Sequence, residues 1–232
     1  MKTKLSVLTT VLLVSTTSHA ADLEIQVQNL TQGIYFTPLL ISAHTDEMML
    51  FRAGEQASAE LQAMAEGGNI ELLANQMGNG GANNLENPAG GLLGPGMMAS
   101  GMLSNDEGNT SLSLVGMLLP TNDGFVGLDS WPIPSEPGTY HIYLNGYDAG
   151  TEANDEVRGS GMPGEAGFPV PPPLDAMIGQ GGLGVTTEEA NQTVHIHRGN
   201  LGDSDDTSGE SDINSSIQRW LNPVAKITVI VN

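Results

Sequence analysis

Residues 120–152 read P-T-N-D-G-F-V-G-L-D-S-W-P-I-P-S-E-P-G-T-Y-H-I-Y-L-N-G-Y-D-A-G-T-E. Two apolar runs stand out, 125–128 and 139–144, and each adjoins an acidic, glycine-containing turn. In the second run Tyr140, Ile142 and Leu144 alternate with His141 and Tyr143, the period of a half-buried strand. Asp123 opens the first turn; Asp148 and Glu152 stand in the second. If both strands belong to one sheet, turns at the same end can meet. Asp and Glu are also ordinary turn residues, so spacing alone leaves a cation site and plain acidic turns both open.

The flanking chain repeats the strand pattern. Leu23, Ile25 and Val27 alternate with Glu24, Gln26 and Gln28. A second strand is expected over 34–42, with Pro38 marking an edge or bulge. In 112–119 Leu112, Leu114 and Gly116 face one way and Ser113, Val115 and Met117 the other; 193–197 and 224–231 supply later strands. The period changes only at 58–77, where Ser58 can cap one short helix before Gly67-Gly68 and Asn69 can start another carrying Ile70, Leu73 and Met77. Residues 78–101 read as a long flexible loop, and 158–184 as a Gly/Pro-rich segment with Pro171-Pro172-Pro173 as a stiff extended piece. Strands punctuated by turns, with one or two short helices, argue an all-β antiparallel sandwich.

Composition bounds the rest. Residues 1–20 carry Lys2 and Lys4, a short apolar run and the ending Ser18-His19-Ala20, which reads as a signal peptide; 21–232 is then a single domain, secreted or periplasmic. No later run is long enough for a transmembrane anchor. The chain has no Cys, so an exported fold must hold without disulfides. Its net charge of −20 argues against nucleic acid and anionic lipid as partners.

The segments P-T-N-D-G-F-V-G-L-D-S and Y-D-A-G-T-E resemble the spondin N-terminal domain family, in which a D-x-x-V-G-L element follows a core strand and a D-A-G-T-(D/E) element follows a later one. The helix over 58–66 and the closing N-P-V-A-K-I-T-V strand are similar too, so the resemblance covers most of 23–231. It implies a C2-like β-sandwich with a calcium site in loops at one end. By position Asp123, Asp148 and Glu152 match the acidic ligands; Glu152 stands where animal members often carry Asp, and the cysteines of those members are missing. The long inserts 78–101 and 154–184 look like the bacterial branch.

The function implied is a secreted, non-catalytic calcium-binding module for adhesion or matrix contact, its partner an extracellular protein, a polysaccharide or a lipid surface. A different class is also open. His195 and His197 share a strand face, and His141 could join them in a cupin-like metal enzyme. Two solvent-facing strand histidines account for the pair more simply. The G-x-G-x-x-G match at 179–184 follows a proline tract rather than a strand and reads as a loop. The acidic run at 203–212 lacks EF-hand offsets.

Overall fold

The computed structural model describes residues 21–106, 108–189 and 191–232; the signal-peptide expectation lies outside them. The strands are β1 (Ala21–Asn29), β2 (Tyr35–Phe36), β3 (Leu40–His44), β4 (Asn83–Glu86), β5 (Met98–Asn105), β6 (Ser111–Leu119), β7 (Gly124–Pro132), β8 (Gly138–Asp148), β9 (His195–Ile196) and β10 (Ala225–Val231). Two helices, α1 (Ala59–Gly67) and α2 (Glu71–Asn79), interrupt them. Pairing runs β4-β3-β6-β7-β8-β10-β1-β5, with β2 beside β6 and β9 beside β8, and every ladder is antiparallel.

The all-β expectation holds, but the strands do not divide into the two separate sheets of a sandwich. One sheet curls until its ends, β4 and β5, nearly meet. There the seam is closed by side chains: Asn83 Nδ2 donates to Asp106 Oδ2 at 2.9 Å and Asn109 Nδ2 to Asn83 Oδ1 at 2.8 Å. Leu85 packs over Gly101, where a Cβ would approach its methyls to 2.9 Å. Strand twist accumulates with strand number, so a long sheet tends to curl on itself.

Alternation decides which face each strand buries. Leu23, Ile25 and Val27 of β1 join Ile227 and Val229 of β10, Leu112, Leu114 and Leu118 of β6, and Leu144 of β8 in the interior. Strand β6 is buried throughout, because Val115, Met117 and Leu119 on its other face pack under the helices with Leu61, Met64, Leu73 and Met77. Pro38 separates β2 from β3, breaking the expected single strand where its missing N–H cannot enter a ladder.

Two expectations are corrected. Residues 78–101 are not a plain loop: they hold β4 and the start of β5, and β5 pairs with β1 along its length. Its inward positions include Ala99 and Gly101, too small to register as a hydrophobic alternation, while Met98 and Met102 point outward and are exposed. The proline tract is not extended either; residues Pro172–Met177 form a 3₁₀ turn. This segment lies against the sheet, with Phe168, Leu174 and Ile178 buried in the same cluster as the helices.

Helix α1 starts as its sequence directs. Ser58 is extended, and its Oγ accepts from Leu61 N at 3.1 Å; Gly68 closes the other end at φ 71°. Ser58→Ala should cost about 1 kcal/mol, read as a lower urea midpoint at unchanged slope.

Candidate metal centre

The ladder between β7 and β8 builds the site. Gly124 pairs with Asp148, so the turn before β7 and the turn after β8 leave the sheet side by side. Ala149 N then donates to Asp123 O at 3.2 Å. The D-A-G-T-E turn wraps the Asp123 carboxylate. Thr151 N donates to its Oδ2 at 2.9 Å and Glu152 N to the same atom at 3.2 Å. Asp148 Oδ1 accepts from Gly150 N at 2.9 Å, and its Oδ2 accepts from Asn154 Nδ2 at 2.7 Å.

Gly150 is required twice over. Its φ is +69°, and a Cβ would stand 2.7 Å from Asn191 O and from Thr193 N, both backbone atoms that cannot give way. The turn is therefore pinned between β8 and the 191–193 segment.

Asp123 and Asp148 are both buried. Burial first, then the charge of Asp148, raises the Asp123 pKa well above the usual carboxylate range against the two amide hydrogen bonds. Asp123 Oδ1 is buried and has no hydrogen-bond partner. An unpaired buried carboxylate oxygen beside a second carboxylate is costly unless a proton or a cation accompanies it. That chemistry fits a hard cation, with backbone carbonyls and water completing its shell. Among the described residues, side chains alone supply no group of three or more His, Cys, Asp or Glu able to hold a metal.

Glu152 contributes its backbone to Asp123, but its side chain turns elsewhere. Oε1 accepts from Asn122 Nδ2 at 2.8 Å and from Gly167 N, while Oε2 is buried without a partner. Burial, aided by the charges of Glu66 and Asp155, pushes its pKa up to about 7. The structure thus joins Asp123 to Asp148 and sets the Glu152 carboxyl among different acids. An acid that sequence reasoning missed reaches the pair instead: the charge of Glu189 adds to the rise at Asp123, and the charge of Asp148, after burial, raises the Glu189 pKa. Glu189 and Gln192 line an opening of about 310 Å³ beside Gly150 and Thr151. Nothing in the spacing of 186–192 signals this, since only the fold brings that segment over the turn.

The histidines separate. His197 is buried, not solvent-facing as expected, because the chain leaves β9 at Ile196 and turns inward against Trp220, at 4.9 Å between ring centroids. Gly199 N donates to its Nδ1 at 2.8 Å, so Nε2 carries the proton and donates to Asn154 Oδ1 at 3.0 Å. Asn154 passes the chain on to Asp148. With both nitrogens engaged, His197 orients Asn154, and through it the Asp148 carboxylate. His195 is half-buried; its Nδ1 donates to Thr193 O at 2.8 Å and lies 3.8 Å from Asp148 Oδ1. His141 lies on the outer face of β8, with Nδ1 at 3.0 Å from Thr228 Oγ1. Among the described residues the three do not form a metal-holding group.

Glu156 is a buried acid that the sequence did not flag. It accepts from Leu201 N at 2.6 Å, Gly202 N at 2.8 Å and Ser211 Oγ at 2.8 Å, with Arg198 at 3.6 Å. These bonds tie residues 201–211 to the segment that follows the D-A-G-T-E turn.

Comparison with known proteins agrees with the two turn motifs. No curated protein matches the chain. The Spondin_N family model matches residues 15–160, which contain Asp123, Asp148 and Glu152 and stop short of Glu189 and His197. Since that match covers well over half of its length, the chain belongs to the Spondin_N family.

Proposed function

We propose that this protein is an extracellular, non-catalytic module in which one calcium ion, bound at Asp123 and Asp148, rigidifies the loops at one end of the sheet for contact with another surface. The observation that carries it is Asp123 Oδ1, buried and unpartnered beside Asp148. Family membership and its extracellular setting support the compartment, and no described helix is long and apolar enough to cross a membrane. Adhesion or matrix contact is the role that such a stiffened loop face serves. Export through residues 1–20 belongs to the same proposal.

Asp123 and Asp148 supply charge and two oxygens of the calcium shell. Glu152 is the third acid of the set, and it joins only by turning its side chain away from Asn122 and Gly167. The His197–Asn154 pair holds Asp148 in place.

Calorimetry of calcium into chelator-treated protein tests the reading. One site per chain is expected. Because burial keeps Asp123 protonated to higher pH than an ordinary aspartate, calcium should displace a proton, and the observed heat should vary with the ionisation enthalpy of the buffer, more strongly as the pH is lowered. Absence of heat in every buffer would sink the calcium assignment.

A further inference from the structure

A cleft of about 580 Å³ lies away from the acidic turns. It is bounded by the turn into β2, by the Pro172–Met177 segment and by the loop before β10. Most of its walls come from beyond residue 160, outside the family match, so it is a feature of this chain rather than of the family model. Its volume falls in the ~300–1,000 Å³ range of small-molecule sites.

The chemistry of the wall narrows the ligand. Arg158 reaches the cleft, but four of its five guanidinium N–H groups are already used: they donate to the Asp175 carboxylate at 2.6 Å, to Asp175 O at 2.9 Å, and to Gly179 O and Ile178 O. The paired guanidinium leaves no bidentate fork for an anionic ligand, and Asp206 together with a net charge of −20 opposes one. Among the described residues, the side chains of Gln32, Gln180 and Asp206 and the Nδ2 of Asn214 make no hydrogen bond within the protein, so both donors and acceptors have capacity to spare. A purely apolar ligand would strand them. The remaining wall is apolar: the half-buried Tyr35 ring, and Met177 and Ile217, which are 45% and 50% exposed. Gly94 at the rim puts no side chain against the Tyr35 ring, where a Cβ would come within 3.3 Å of Cε1.

Planar amides and a carboxylate around an aromatic ring suit a molecule with many hydroxyls and an apolar C–H face. We propose that this cleft binds a neutral saccharide, stacked on Tyr35 and hydrogen-bonded by Gln32, Gln180, Asp206 and Asn214. It rests on the non-catalytic reading of the module and is independent of its metal.

The test is a titration of the full chain with cellohexaose, laminarihexaose and mannohexaose, with trigalacturonate as the acidic counterpart, in chelator and in calcium, followed by amide chemical shifts. At least one neutral hexaose should bind at millimolar concentration, shifting Gln32 and Gln180. Tyr35→Ala should weaken it about tenfold. Gln32→Ala and Gln180→Ala alter exposed side chains only, so they should weaken binding without changing the fold. No binding by any of the three neutral sugars, preference for trigalacturonate, or affinity unchanged in Gln180→Ala and Tyr35→Ala would overturn the proposal. Failure of the calcium reading shows separately, as a missing calcium heat in the sugar-free protein. Release of new reducing ends from a bound hexaose would overturn the non-catalytic reading instead.

Discussion

Calcium at about a hundredfold excess over its dissociation constant should stabilise the folded chain by about 2.7 kcal/mol, and Asp123→Asn should abolish the gain. For a domain of this size that is roughly 5–10 °C in Tm. The substitution is informative because its two effects have opposite signs. In the metal-free protein Asp123 is a buried carboxyl whose ionised form is disfavoured by burial and by Asp148. Asparagine keeps an acceptor for Thr151 N and Glu152 N, and it offers a donor where Oδ1 now has no partner. The metal-free variant should therefore melt at or above the metal-free wild type while ignoring calcium. This is the expected trade of a site kept at a cost to stability. Equal calcium shifts in both proteins would place the ion elsewhere, and a metal-free variant melting far below wild type would make Asp123 a structural acceptor. Glu152→Gln sorts the third acid: a retained calcium shift removes Glu152 from the ligand set, and a lost one shows that its side chain swings in.

The acid limb of stability should depend on His197. Burial, the leading cause, lowers its pKa from 6.5 to about 4. The folded chain thus refuses a proton that the unfolded chain accepts between those values, so the stabilisation is whole above pH 6.5 and drains as pH falls toward 4. At about 1.36 kcal/mol per unit the group accounts for roughly 3 kcal/mol. His197→Gln removes the titration. The wild type should lose its advantage over the variant by about that amount between pH 7 and pH 4, measured by urea unfolding. Glu152 acts with the other sign, since its raised pKa favours the folded state at low pH and that contribution fades as pH rises from 4.5 through about 7. It is common to both proteins, so the difference between them isolates His197. A difference that does not vary with pH would show that His197 protonates freely in the fold.

Much of the scaffold was legible because period-two alternation records which face is buried. Leu112 and Leu114 against Val115 and Met117 in β6, and Tyr140, Ile142 and Leu144 in β8, lie on the faces their spacing implied. Strand β5 escaped because its inward positions are partly Ala99 and Gly101, so burial left no hydrophobic trace. The number of sheets escaped because closure depends on twist summed over many strands and on a seam made by Asn83, Asp106 and Asn109.

The sequence by itself determined the strand class and the two acidic turns; the pairing of β7 with β8 then set Asp123 beside Asp148, since turns at the same end of neighbouring antiparallel strands leave the sheet together. Only the tertiary structure decided the rest of the site. It turned the Glu152 side chain toward Gly167, brought Glu189 over the turn, and buried His197 behind Asn154. The residues it selected lie about 30 to 75 positions along the chain from Asp123. At such separations no local propensity specifies a partner, and burial, charge and hydrogen-bond satisfaction choose among many acids.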